Sequence, residues 1–241
     1  MRIVLLCILL IAMQSNAQQP IIYLFPGQGA DHRAFKGISI EGYELKVIVY
    51  PVPKKGASMR SYAEQLLEQV DTTRRYSFFG VSLGGMICVE LSAMTDPDHV
   101  ILFSSAKCRE ELPKRYTFMR KLPLYRMFPG QSLILGAVLA QPFFEPTNIQ
   151  TMRLFWRMVT RKHPLFMKRA VRMVVTWDRE EAPDGIVHFH GKRDHTIPSK
   201  NIENATLLDG GHMIILEKPE LVNELITRQL NAPTGASPLS E

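Results

Sequence analysis

Between Tyr76 and Met94 the sequence reads YSFFGVSLGGMICVELSAM, and this stretch restricts the fold more than any other. Apolar and aromatic residues stop at Gly80, pass through Val81-Ser82-Leu83-Gly84-Gly85, and resume at helical length with Glu90 as the one charge. A short, continuously apolar run is what a strand covered on both faces requires. A buried strand handing directly to a buried helix belongs inside an α/β arrangement, with further layers on either side.

Similar short runs recur along the chain. Ile21 to Phe25, Leu45 to Tyr50, Tyr76 to Phe79, Val100 to Phe103, Ile186 to Phe189 and Ala205 to Leu208 all read as strands. Helical patterns lie between them. Tyr62, Leu66, Leu67 and Val70 follow Ser58, a plausible N-cap, and Pro219 opens a helix with Leu221, Val222, Leu225 and Ile226 on one face. The alternation predicts a mostly parallel sheet of about six strands flanked by helices. From Ala106 to Gly185 no strand pattern occurs. Instead Thr147 is placed to cap a helix bearing Ile149, Met152, Phe155, Trp156 and Val159, and Pro164 to open one bearing Met167, Ala170, Val171 and Val174. The expected organisation is a core of residues 18–105 and 186–230, a helical lid over 106–185, and a mobile tail over 231–241.

The 241 residues, 46% of them hydrophobic, suffice for one sizeable core, and the ordinary charged and aromatic fractions exclude disordered and collagen-like classes. Residues 1–17 read as an address. A short basic start precedes eleven uncharged, mostly apolar residues, Ile3 to Met13, and Ser15-Asn16-Ala17 supplies the small residues a signal peptidase needs. Eleven residues fall short of the roughly 20 that span a bilayer. Cleavage after Ala17, export to the periplasm or medium, and no transmembrane segment afterwards are expected. Cys88 and Cys108 remain, and both are expected to be free thiols; no Cys/His spacing suggests zinc.

The net charge of +6 is uneven. Residues 106–185 hold fifteen Lys or Arg against seven Asp or Glu, an excess of +8, leaving about −2 (6 − 8) elsewhere. The excess is scattered over helices without a nucleic-acid module. It suits either a solvated helix face or attraction to anionic substrates and lipid surfaces. Arg153, Arg157, Arg161, Lys162, Lys168, Arg169 and Arg172 are expected at the rim of whatever pocket the lid covers.

Gly-x-Ser-x-Gly at a strand-to-helix turn is a nucleophile elbow, with a strained serine flanked by glycines whose missing Cβ atoms would otherwise clash. A serine hydroxyl needs a base to take its proton. Asp209-Gly210-Gly211-His212 follows the last strand and projects a ring from a glycine-rich loop, which makes His212 the expected base. His188 and His190 share a strand face, but no third metal ligand accompanies them. The base needs an orienting acid. Asp194, in His190-Gly191-Lys192-Arg193-Asp194-His195-Thr196-Ile197-Pro198, follows a strand and fits; the loop after Phe103 offers no carboxylate, and Glu217 lies too near His212 in sequence. The backbone N–H of Leu83 and that of Gln28, flanked by Gly27 and Gly29, are the expected oxyanion donors.

With the elbow at Gly80 to Gly84, the acid turn at Asp194, the Gly-Gly-His loop and the long helical insertion, the chain resembles the α/β-hydrolase superfamily, specifically its small lidded serine hydrolases, over nearly its whole length past Ala17. It departs in having Pro26-Gly27 where that family usually has His-Gly, and in having little before Ile21 for an N-terminal hairpin. The resemblance implies cleavage of a carboxylic ester or related acyl bond in a small molecule, through an acyl-enzyme, without metal or organic cofactor. An acyltransferase with the same triad and a non-catalytic binding protein on the same fold are the alternatives. A carboxylate-nucleophile dehalogenase is excluded by Ser82.

Overall fold

The computed structural model describes residues 18–145 and 147–232, so the expected signal segment, residue 146 and the tail from 233 onward lie outside the described residues. Six strands form one all-parallel sheet: β1 (Ile21–Phe25), β2 (Glu44–Val47), β3 (Tyr76–Val81), β4 (Val100–Phe103), β5 (Ile186–Gly191) and β6 (Thr206–Leu208). Their spatial order is β2-β1-β3-β4-β5-β6. Ile22 pairs with Ser77 and Leu45, and Phe25 with Gly80, so the first strand stands at the centre of one half of the sheet.

Period-two alternation sends the strand residues into two cores. Ile21, Tyr23, Phe25 and Phe78 pack on one face with Tyr62, Leu66, Ile87 and Trp177. Ile22, Leu24, Phe79, Val81 and Phe103 pack on the other with Phe35, Ile215, Val222 and Ile226. Because both faces are covered, these runs carry no polar alternation, which is why they were legible as buried strands.

The helices are α1 (Met59–Leu66), α2 (Leu83–Ser92), α3 (Lys114–Lys121), α4 (Gly130–Phe144), α5 (Ile149–Val159), α6 (Pro164–Thr176), α7 (Ile214–Glu217) and α8 (Pro219–Leu230). Ser58 caps α1 in a reciprocal box with Ser61. The cap of α5 is Asn148 and not Thr147: Asn148 Oδ1 accepts from Thr151 N at 2.9 Å, while the Thr147 hydroxyl donates to Glu217. The second strand ends at Val47 instead of Tyr50, where Tyr50 leaves the sheet to donate its hydroxyl to Pro26 O at 2.9 Å.

Helices α3 to α6 form one insertion between β4 and β5. Its two ends are tied together and to the core. Arg109 N donates to Arg179 O at 2.8 Å, and the buried Glu90 of α2 accepts from Trp177 Nε1 and Arg179 Nε, both at 2.8 Å. Burial would raise the Glu90 carboxyl, but Arg179 and Trp177 outweigh it and hold it below the ordinary range. Cys88 is buried and Cys108 half-buried, both free. No helix among the described residues is long and apolar enough to cross a membrane.

Candidate active site

The strand order reverses direction between β1 and β3, and in open parallel sheets the crevice beyond the strand ends at such a point is where ligands sit. Ser82 occupies that place, at the carboxyl end of β3. Its backbone is held at φ 53° and ψ −121°, a strained conformation for a residue with a Cβ. Two interactions keep it there: Ser82 N donates to Phe103 O at 3.1 Å, and Ser105 Oγ donates to Ser82 O at 2.7 Å. Gly84 is required by close approach, since a Cβ there would lie 2.0 Å from Phe25 O.

The three predicted side chains meet in one hydrogen-bonded chain. His212 Nε2 lies 3.0 Å from Ser82 Oγ, and His212 Nδ1 lies 2.7 Å from Asp194 Oδ2. Asp194 is buried, and its other oxygen accepts from Ile197 N at 2.7 Å. The acid turn and the histidine loop fit against each other because Gly191 has no side chain: a Cβ there would meet Gly210 O and Gly211 O at 2.6 Å. Burial would push Asp194 up, but the His212 charge and hydrogen bonds from His190 and His212 hold it well below the usual carboxylate range. For His212, burial pulls the imidazole down; the charge and hydrogen bond of Asp194, with Glu145 adding and Arg115 opposing, raise it above its ordinary 6.5.

Two polar residues that the sequence did not assign to the site stand directly behind this chain. Glu145 follows α4 in the insertion and is buried. Its Oε1 accepts from His195 N at 2.7 Å and Thr196 N at 2.6 Å, and its Oε2 accepts from His212 N at 3.0 Å. One carboxylate thus joins the acid turn and the histidine loop. The second is His190, whose Nε2 lies 2.8 Å from Ile197 O and 3.3 Å from Asp194 Oδ2, with His188 Nε2 at 3.3 Å from its Nδ1. The strand-face pair therefore packs behind Asp194 as a hydrogen-bonded buttress. Among the described residues the one cluster with metal-ligand spacing is Glu145, Asp194 and His212, whose atoms are committed to the contacts above. The rejected acid Glu217 accepts from Thr147 instead, and the loop after Phe103 supplies Ser105 to the Ser82 carbonyl.

A cavity of about 350 Å³ opens over Ser82, His212, Gln28 and Leu83. Its walls are mainly apolar, with Met86 from α2 and Leu133, Ala137, Phe155, Val159 and Met167 from the insertion. A second space of about 50 Å³ also touches Ser82 and His212, bounded by Gly27, Ala34, Val81 and Met158. Leu83 is the first residue of α2, so its N–H has no partner within the helix. Pro26-Gly27 brings Gln28 alongside: a Cβ on Gly27 would lie 3.3 Å from Ser82 Cβ, and Gly29 takes φ 84° against Val159.

The expected basic rim is not where the seven cations lie. None of Arg153, Arg157, Arg161, Lys162, Lys168, Arg169 and Arg172 lines the cavity; the cation there is Arg115 of α3. Arg169 donates to Pro53 O, Arg172 Nη1 to Ala57 O at 2.9 Å and Lys168 Nζ to Arg126 O at 2.9 Å. The inner faces of α5 and α6 are apolar, so the cations turn away from the cavity, and three of them on α6 tether the insertion to backbone carbonyls.

No protein-family model matches the chain, and no curated protein matches it in sequence. Solved structures match it in fold. The enol-lactonase from Burkholderia xenovorans LB400 superposes with a TM-score of 0.69 at 16% identity, covering 89% of this chain and 92% of that one. A hydrolase from Pseudomonas aeruginosa PA01 gives 0.64 at 18% identity over 90% and 91%. A thermophilic esterase from Thermogutta terrifontis gives 0.63 at 16% identity over 89% and 90%. The chain has the α/β-hydrolase fold.

Proposed function

We propose that the protein is a serine hydrolase that cleaves a carboxylic ester or related acyl bond in a small molecule. The observation that carries this reading is the chain Ser82 Oγ to His212 Nε2 (3.0 Å) and His212 Nδ1 to Asp194 Oδ2 (2.7 Å), set on a strained strand-to-helix turn at the floor of a cavity. The names of the matching structures, a hydrolase, an esterase and an enol-lactonase, agree with it.

In this reading His212 takes the Ser82 proton as Oγ attacks the acyl carbon, and the carbonyl π electrons move to oxygen. The backbone N–H groups of Leu83 and Gln28 receive that oxyanion. His212 then returns the proton to the departing alkoxide, and the alcohol leaves an acyl-Ser82. Water, deprotonated by the same imidazole, releases the acid and restores Ser82. Asp194 holds the ring tautomer and stabilises the imidazolium without taking the proton. Residues 106–185 act as the lid that shields these steps from bulk water, and residues 1–17 direct export with cleavage after Ala17.

The unequal spaces beside Ser82 favour an ester with one bulky apolar arm and one small one. A fluorophosphonate probe tests the class: covalent labelling at Ser82 is expected, and folded protein that is not labelled there refutes it. A panel of esters varied separately in acyl and alcohol size then reads the asymmetry. Tolerance of bulk on both arms would contradict the cavity argument.

A further inference from the structure

We propose that the outer surface of the insertion, from α3 through α4, docks on an anionic lipid bilayer. The sequence there is unusual in charge. Between Leu112 and Phe144 there is no Asp or Glu, while Lys114, Arg120, Lys121 and Arg126 are cationic and exposed; Arg115, in the same segment, serves the cavity and Thr196 O instead. The same segment exposes Phe118, Leu124, Met127, Phe128, Leu135 and Leu139, from 50% at Leu124 to 80% at Met127.

Helix α4 is the longest element of this segment. A surface helix ordinarily turns one apolar stripe inward and a charged face to water. On α4 the inward side is spent on the cavity through Leu133, Ala137 and Ala140, yet the outward side carries Leu135 and Leu139 one turn apart and no charged residue. The cations stand to one side, on α3 and the turn that follows it. That turn is held to α6, where Lys168 Nζ reaches Arg126 O, and α4 begins with Gly130 against the Pro164 backbone, where a Cβ would come within 2.0 Å of Pro164 O. The apolar side chains are therefore presented on a braced surface.

Apolar side chains bordered by cations without acids match the two layers of an anionic leaflet, hydrocarbon and phosphate headgroup. A second copy of the chain fits less well. A two-fold interface sets a patch against itself. That would bring two copies of the same cation-rich patch together, with no acidic partner in the segment.

The test is co-flotation of the full chain with phosphatidylcholine vesicles, with and without phosphatidylglycerol. Because Ile3 to Met13 is itself apolar, the comparison rests on variants that all retain it. Binding is expected to need the anionic lipid and to weaken with added salt. Leu135→Gln and Leu139→Gln should each lower partitioning about tenfold. Arg120→Gln, Lys121→Gln and Arg126→Gln should each lower it about fivefold. Ser82→Ala should bind like the parent, which separates docking from the hydrolase reading. Both leucine variants should hydrolyse a small soluble ester at the parental rate, which shows that they fold. Equal binding to the two vesicle types, or undiminished binding by the leucine variants, would overturn the proposal. So would a dimer that Leu135→Gln dissociates in the absence of vesicle binding.

Discussion

Glu145 and His212 are joined through the backbone: one carboxylate oxygen of Glu145 accepts the His212 N–H at 3.0 Å, while the other holds His195 and Thr196 beside Asp194. The insertion thus reaches His212 and the turn that carries Asp194 with a single side chain. Glu145→Gln keeps an acceptor for one loop but turns an NH₂ group toward the other or loses a charge from both. We expect kcat/KM to fall about 10- to 100-fold from misplacement of the ring. The charges facing His212 are Asp194, Glu145 and Arg115, so removing Glu145 should also move the acid limb of the pH profile to lower pH. Glu145→Ala should cost more, since three half-buried N–H groups lose their partner. Unchanged rates and an unmoved profile in folded Glu145→Gln would reduce the residue to a structural cap.

Ser82→Ala and His212→Ala should each remove ester hydrolysis by a factor on the order of 10⁴ or more, with the circular dichroism of the folded protein preserved. Asp194→Asn should cost somewhat less, because it leaves nucleophile and base present. Retained turnover in folded Ser82→Ala contradicts the assignment, and a silent Asp194→Asn would shift the orienting role to another acid.

Only the neutral imidazole can accept the Ser82 proton, so kcat/KM for a small neutral ester should rise with pH through a midpoint above 6.5. Stability moves with these groups in opposite senses. Asp194 is depressed on folding, so its contribution is present above the ordinary 3.8 and is lost as pH falls through the folded value. His212 is raised, so its contribution is complete below 6.5 and is lost as pH rises through the folded value. Urea titrations across pH report both trends, and a rate midpoint at or below 6.5 would contradict the balance of charges described here.

Arg169→Gln and Arg172→Gln should act on stability, not on substrate attraction. Each loses a donor to a core carbonyl, at Pro53 and Ala57, worth about 1 kcal/mol. A lower melting temperature with an unaltered salt response of kcat/KM toward an anionic ester is expected. A salt response abolished by the pair would restore them to the rim.

What the sequence by itself determined is local and repetitive. Runs such as Ile21 to Phe25 and Val100 to Phe103 are buried on both faces, so hydrophobicity alone located them. Gly80, Ser82 and Gly84 form a backbone motif whose strain is written in adjacent residues, and His212 and Asp194 each lie on a turn that follows a strand. Tertiary structure decided what depends on distance across the fold. Glu145 looked like any helix-end acid, because its partners lie 50 to 67 residues away and are backbone N–H groups with no residue signature. His190, set aside as a metal ligand for want of a third partner, had no role until Asp194 and Ile197 were seen beside it. The cations of α5 and α6 were countable from composition, but their direction was not. An apolar inner face turned them away from the cavity, and carbonyls of the neighbouring core and insertion took up Lys168, Arg169 and Arg172 of α6.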